Sequence, residues 1–176
     1  VQSPKSKVQS SEPDIPHSAL RAPYFTRPIL VKVAPDLSFA ALDDILEVAS
    51  QRQIAGIVAT NTTTIRPKTH FPGVERVYQE TGGLSGRPLK NRSTEIVRHL
   101  YRQTRGSLPI IGVGGIFDAA DAWEKIIAGA SLVQIYTGLV YEGPGVAKTI
   151  VTGLVEQLEK AGLKDLGRAV GMASRE

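Results

Sequence analysis

Four short apolar runs, each followed by a segment with helical spacing, restrict this chain more than any other feature. They are Ile29-Leu30-Val31-Lys32-Val33, Gly56-Ile57-Val58-Ala59-Thr60, Pro109-Ile110-Ile111-Gly112-Val113 and Leu132-Val133-Gln134-Ile135-Tyr136. None alternates strictly between apolar and polar residues, which is how parallel strands covered on both faces read. After the first run, Phe39, Leu42, Ile45, Leu46 and Ala49 recur at helical spacing behind a cap at Asp36 or Ser38. After the second, Ile96, Val97, Leu100 and Tyr101 mark a helix that starts near Asn91 or Ser93 and stops at Gly106. Asp118 caps a third helix, which carries Ala122, Trp123, Ile126 and Ile127 and ends at Gly129. A last helix presents Val146, Ile150, Val151, Leu154, Val155 and Leu158 on one face and stops at Gly162, with residues 138–145 before it irregular or a short helical turn.

Four βα units place the chain in the α/β class. They suit a small open sheet, or half of an eight-unit barrel, a fold that typically takes about 250 residues. At 176 residues the chain is long enough for one domain with a core. Apolar residues at 41% and charged residues at 22% are an ordinary globular balance. Lys plus Arg total 21 against 17 for Asp plus Glu, and the excess is spread out, so no nucleic-acid footprint is expected. Without cysteine there is no disulfide framework, thiol nucleophile or zinc-thiolate cluster. Residues 1–27 are rich in Ser, Pro, Lys and Gln and read as a loop or linker, with His17 a solvated loop histidine. No targeting pattern is read at the start, and residues 172–176 read as a tail. Val1 in first place and Met172 as the only methionine point to a piece of something longer.

In either α/β architecture ligands bind beyond the carboxyl ends of the strands. Those ends hold Lys32 to Asp36, Thr60 to Thr63, Gly114-Gly115 and Tyr136-Thr137-Gly138, and the long polar stretch from Asn61 to Pro88 adds Gly82 to Gly86. The set is glycine, hydroxyl and amide with one cation, and it lacks His, Cys and paired carboxylates. It therefore assembles neither a hydrolytic triad nor a two-carboxylate glycosidase, and it offers no metal site. It suits a phosphate and a flat polar ring, since glycines after a strand let the backbone approach an anion. Tight-turn glycines without a ligand are the plainer alternative. Lys32 lies in a strand read as buried and needs a negative partner or a ligand; alternatively its head reaches the barrel mouth or pairs with Asp36. Asn61 offers both donor and acceptor to a carbonyl-amide ligand, or else tightens its loop.

Five ordered segments, ILVKVAPDL, IVATNTT, TGGLSGRPL, PIIGVGGI and GASLVQIYTGLVYEGP, resemble the carboxyl-terminal half of class 2, quinone-dependent dihydroorotate dehydrogenases. The resemblance covers roughly residues 28–171 and implies the second half of a (β/α)8 TIM barrel. It implies FMN as cofactor and oxidation of dihydroorotate to orotate in pyrimidine synthesis, by hydride transfer from C6 to flavin N5 with electrons passed to a membrane quinone. Position by position it implies that Lys32 and Thr60 contact the flavin and that Asn61 and Thr62 hold the substrate. Gly86, Gly115, Tyr136 and Thr137 would complete the flavin site, the last three near its phosphate. The family's catalytic serine base lies on a loop of the first half-barrel and matches nothing here, so no catalytic residue is assigned and Ser85 is not made the base. The chain alone is expected to be inactive, and to self-associate or need a complementary half-barrel. The resemblance also implies a peripheral place on the mitochondrial inner membrane for a eukaryotic parent, or on the cytoplasmic membrane face otherwise. Two other readings stay open: a truncated half-barrel that binds flavin or another phosphate ligand only, and an unrelated phosphate-binding barrel isomerase or synthase.

Overall fold

A computed structural model describes residues 27–175, so the linker reading of residues 1–27 lies, apart from Arg27, outside the described residues, as does His17. The four runs form strands β1 (Leu30–Val33), β2 (Gly56–Ala59), β3 (Ile110–Val113) and β4 (Leu132–Gln134). They pair in parallel in sequence order, with Lys32 beside Val58, Val58 beside Ile111 and Ile111 beside Leu132. Each strand is followed by helix. These are α1 (Phe39–Gln51), α2 (Pro72–Tyr78), α3 (Lys90–Thr104), α4 (Ala119–Ala128), α5 (Thr137–Glu142), α6 (Val146–Lys160) and the short α7 (Leu166–Ala169). Four consecutive parallel βα units of this kind form the second half of a (β/α)8 barrel.

Local chemistry explains most boundaries. Ser38 caps α1 by accepting from the Ala41 N–H at 3.1 Å, and Asp118 caps α4 by accepting from the Asp121 N–H at 2.8 Å. Neither Asn91 nor Ser93 caps α3, which grows directly out of a 3-10 turn at Arg87–Leu89. At its other end Arg105 and Gly106 take positive φ and stop it. Residues 172–174, read as a tail, form another 3-10 turn tied under α4, where Ser174 donates to the Ala128 carbonyl at 3.0 Å.

The core lies on one side of the sheet. Val33, Ile57, Ala59 and Ile110 point outward from the half-barrel and pack on Leu42 of α1 and on Ile96, Val97 and Leu100 of α3, all 2% exposed or less. A second cluster joins Ile126 of α4, Ile150 and Leu154 of α6, and Val133. The opposite, concave face is open, with Leu30 at 40% and Leu132 at 62% exposure and Lys32 exposed on the same edge strand as Leu30. Strands that read as covered on both faces are covered on one, as the half-barrel reading requires. Unbroken apolar strands belong to a closed barrel, and four strands leave the inner face uncovered.

Candidate functional site

The carboxyl ends of the four strands open on a cleft of about 250 Å³. All eight site residues expected from the sequence line it: Lys32, Thr60, Asn61, Thr62, Gly86, Gly115, Tyr136 and Thr137. Apolar walls come from Leu89, Val113, Ile116 and Ile135. Lys32 and Tyr136 are the ionisable side chains among these lining residues, and no carboxylate or imidazole of the described residues joins them.

Lys32 does not pair with Asp36. The Asp36 carboxylate instead accepts from the Thr63 hydroxyl and from the N–H and hydroxyl of Thr64, both at 2.8 Å. Burial raises the pKa of Asp36, but these hydrogen bonds and the Arg92 guanidinium outweigh it and hold the carboxyl below its ordinary value. Asp36 therefore anchors the loop after β2, and the Lys32 ammonium is left without a polar partner among the described residues. Because Lys32 is exposed on the open face, it does not carry the cost of an unpaired buried charge.

Beyond β2 the chain turns sharply at the mouth of the cleft. The Thr60 hydroxyl donates to the Asn61 carbonyl at 2.9 Å, and the Asn61 side-chain oxygen accepts from the Thr62 N–H at 2.9 Å. Asn61 thus tightens its loop, and this assignment leaves its Nδ2 donors for the cleft. The long polar stretch then leaves and returns: Thr63 and Leu84 exchange backbone hydrogen bonds of 3.0 and 2.7 Å. Inside the excursion Arg66 donates to the carbonyls of Thr63, Tyr78 and Gly82 at 3.0, 3.2 and 2.7 Å. The returning limb presses on the site, since a Cβ at Gly83 would stand 1.9 Å from Thr62 Oγ1. Helix α2 within this stretch was not expected, and it buries no residue.

The far end of the cleft is made by Gly86, the turn after β3 and the start of α5. Ser85 and Thr137 share a hydroxyl-to-hydroxyl hydrogen bond of 2.9 Å. Gly115, at φ 72°, lies so close to Lys90 that a Cβ there would come within 2.4 Å of the Lys90 Cβ. Behind this turn lies a polar knot that the sequence did not suggest. Lys125 of α4 is fully buried, and its ammonium donates to the Lys90 carbonyl at 2.7 Å, to Ser93 Oγ at 2.6 Å and to Thr94 Oγ1. Ser93 lies 3.1 Å from the Gly114 carbonyl. Desolvation brings the Lys125 pKa down to about 7. At the rim Lys90 pairs with Asp121 and with Glu124, the latter at 3.0 Å, and these partners raise its pKa. Gln134 was also missed as a lining residue. The signal was present: like Lys32, it is a polar residue on the inward face of an otherwise apolar strand.

Comparison with known proteins agrees with this architecture. The family model for dihydroorotate dehydrogenase matches residues 5–158. The chain belongs to the dihydroorotate dehydrogenase family. Within that family it falls in the class 2 branch. It is 56% identical over 152 residues to the dihydroorotate dehydrogenase (quinone) of Synechococcus elongatus, covering 84% of this chain and 40% of that protein. It is 51% identical over 153 residues to the protein of the same name from Trichodesmium erythraeum, covering 85% and 40%. A crystal structure of the Eimeria tenella dehydrogenase in complex with ferulenol superposes with a TM-score of 0.78 at 41% identity, over 85% of this chain and 39% of that one. The chain thus spans about 40% of the length of the curated dehydrogenases it matches. The mitochondrial option expected for a eukaryotic parent is overturned by the curated relatives, which are cyanobacterial. No helix among the described residues is long and apolar enough to cross a membrane.

Proposed function

We propose that residues 28–171 are the cofactor-binding half of an FMN-dependent enzyme that oxidises dihydroorotate to orotate in pyrimidine synthesis, with quinone as electron acceptor. One observation carries this reading: the eight residues matched to the family's site, scattered from 32 to 137 in sequence, line a single cleft at the strand ends. The donor set suits the cofactor. Apolar walls at Leu89, Val113 and Ile116 can flank a planar ring, N–H donors come from Asn61 and Lys32, and glycines with Thr137 gather at the far end. Bound FMN would supply the two-electron acceptor that no side chain of this protein provides.

In this reading Lys32 sets a positive charge against the pyrimidine edge of the ring, where its lack of any other partner leaves its full field available. Thr60 contacts the same ring. Asn61 directs its amide N–H groups at a substrate carboxylate or carbonyl, and Thr62, backed by Gly83, supplies a hydroxyl beside it. Gly86 lets the chain pass close to the ring, while Gly115, Tyr136 and Thr137 hold the phosphate. This set lacks a match to the serine base that the resemblance implies, so removal of the substrate's proton is assigned to a residue outside it. That same lack favours a second reading, a half-barrel that binds flavin without turning substrate over. The open concave face and the single-sided pairing of β1 and β4 support association with a complementary half-barrel or a second copy.

The visible spectrum of the purified chain separates the readings. Flavin absorbance that bleaches on adding dihydroorotate supports the enzyme, flavin that stays oxidised supports the binding-only half-barrel, and a colourless folded protein removes both.

A further inference from the structure

Lys125 has no part in the site as described, and its surroundings are unusual for a lysine. It is fully buried, and no carboxylate lies within hydrogen-bond reach of its Nζ. Its three possible N–H donors meet three acceptors, two of them hydroxyls, so the charged form is completely satisfied. Ser93 then has one proton of its own, and its neighbours for that proton are the carbonyls of Gly114 at 3.1 Å and Lys90 at 3.0 Å. Gly114 opens the turn that forms the far wall of the cleft.

We propose that Lys125 is a positioning residue that sets the Gly114–Gly115 turn through Ser93, and that the turn's grip on a phosphate-bearing ligand follows the proton on Lys125. The inference rests on the reading of that turn as the phosphate end of the site. The chemistry is a matter of which partner donates. A charged ammonium can only donate, so Ser93 must accept from it and turn its own proton toward a backbone carbonyl. A neutral amine carries a lone pair, and a carbonyl cannot fill it. A hydroxyl must swing round to donate, here that of Ser93, whose swing takes the hydrogen bond away from the Gly114 carbonyl and frees the turn, whereas Thr94 donates to the Lys90 carbonyl alone. Burial brings this exchange near neutrality. The charges around Lys125 are Glu124 and Asp121 of α4, which favour its proton, and Lys90 and Arg98 of α3, which oppose it. Since Lys90 is itself paired with Asp121 and Glu124, those carboxylates are largely engaged, and the ammonium depends on the hydroxyls.

The test compares FMN with riboflavin, which lacks the phosphate, by quenching of flavin fluorescence on the full chain. Between pH 7 and 9 the phosphate stays a dianion, because its second pKa is about 6. The expected preference for FMN over riboflavin falls several-fold across this interval as Lys125 loses its proton. In Lys125→Met the preference is about tenfold lower at pH 7 and flat with pH, while riboflavin affinity changes less than twofold. Ser93→Ala flattens the pH profile in the same way with Lys125 still in place, and it decides the matter if Lys125→Met fails to fold. A pH-independent preference, or equal losses for both flavins in Ser93→Ala, overturns the role of Lys125 and leaves the site reading intact. If the chain with its own sequence binds neither flavin, the phosphate reading falls and the proposal falls with it.

Discussion

The two faces of the sheet are built from the same short strands, three or four residues each, yet they have opposite fates. Outward, Ile57, Ile110 and Ala59 meet α1 and α3 with no exposure at all. Inward, Leu30 and Leu132 lie open on opposite edge strands, and Lys32 is exposed two residues beyond Leu30. The outward face is satisfied within the chain, because each strand is followed by a helix that covers it, α1 within a few residues of β1 and α3 only after the long excursion beyond β2. The inward face can be completed only by strands from beyond the sheet's two edges. Stability therefore resides on one side of the sheet and ligand chemistry on the other.

The sharpest way to break this contrast is on the outward face. Ile96→Ala removes a wholly buried side chain between α3 and the sheet, and is expected to cost about 2–5 kcal/mol in urea unfolding. Next comes a pH effect from the interior of that face. The folded-state pKa of Lys125 lies below its unfolded value of 10.5, so the unfolded chain binds more protons between about 7 and 10.5. The penalty of burying the charge is present in full below that window and is relieved as pH rises. Unfolding free energy should gain about 2 kcal/mol between pH 7 and 9, and the gain should vanish in Lys125→Met. Lys90 does not blur the result, because its raised pKa contributes a stabilisation that is lost only above 10.5.

Smaller effects are expected at the cleft. Asp36 has its pKa lowered, so its contribution is present above about 3.8 and lost as pH falls through the folded value. Asp36→Asn should cost about 1 kcal/mol and speed amide exchange at Thr64 and Ile65 without touching the core amides of α3. The smallest stability change belongs to the inward face. Leu132→Ser should shift unfolding by less than about 0.5 kcal/mol, yet reduce self-association in sedimentation velocity. A loss there as large as that of Ile96→Ala would show the concave face to be packed, and the contrast would be gone.

What the sequence disclosed follows the same division. Strand cores and the helices with a buried stripe were legible because their periodicity records contact with the outward face. The eight cleft residues were legible because they sit at fixed places after those strands and within motifs of a family pattern. Helix α2 was not, since a seven-residue helix with no buried residue leaves no apolar spacing to read. Lys125 was hidden for a different reason. In a helix it reads as one more solvent-facing lysine, and its burial depends on Ser93 and Thr94 more than thirty residues earlier. Of the two candidate caps, Ser38 serves and Asp36 does not, because a loop anchor looks like a cap until the loop after the next strand is in place. The openness of the concave face followed from the half-barrel reading, since four strands written for a closed barrel leave their inner side without cover.

The paired bonds between Thr63 and Leu84, reinforced by Arg66, turn the segment between them into a pendant with its own clasp. Crowding at the tip near His70 and Phe71 should load the clasp before it reaches Gly83 and the Thr62 side chain beside it. A foreign epitope or a fluorophore grafted at that tip should ride on the protein as cargo, leaving the business end of the strands undisturbed.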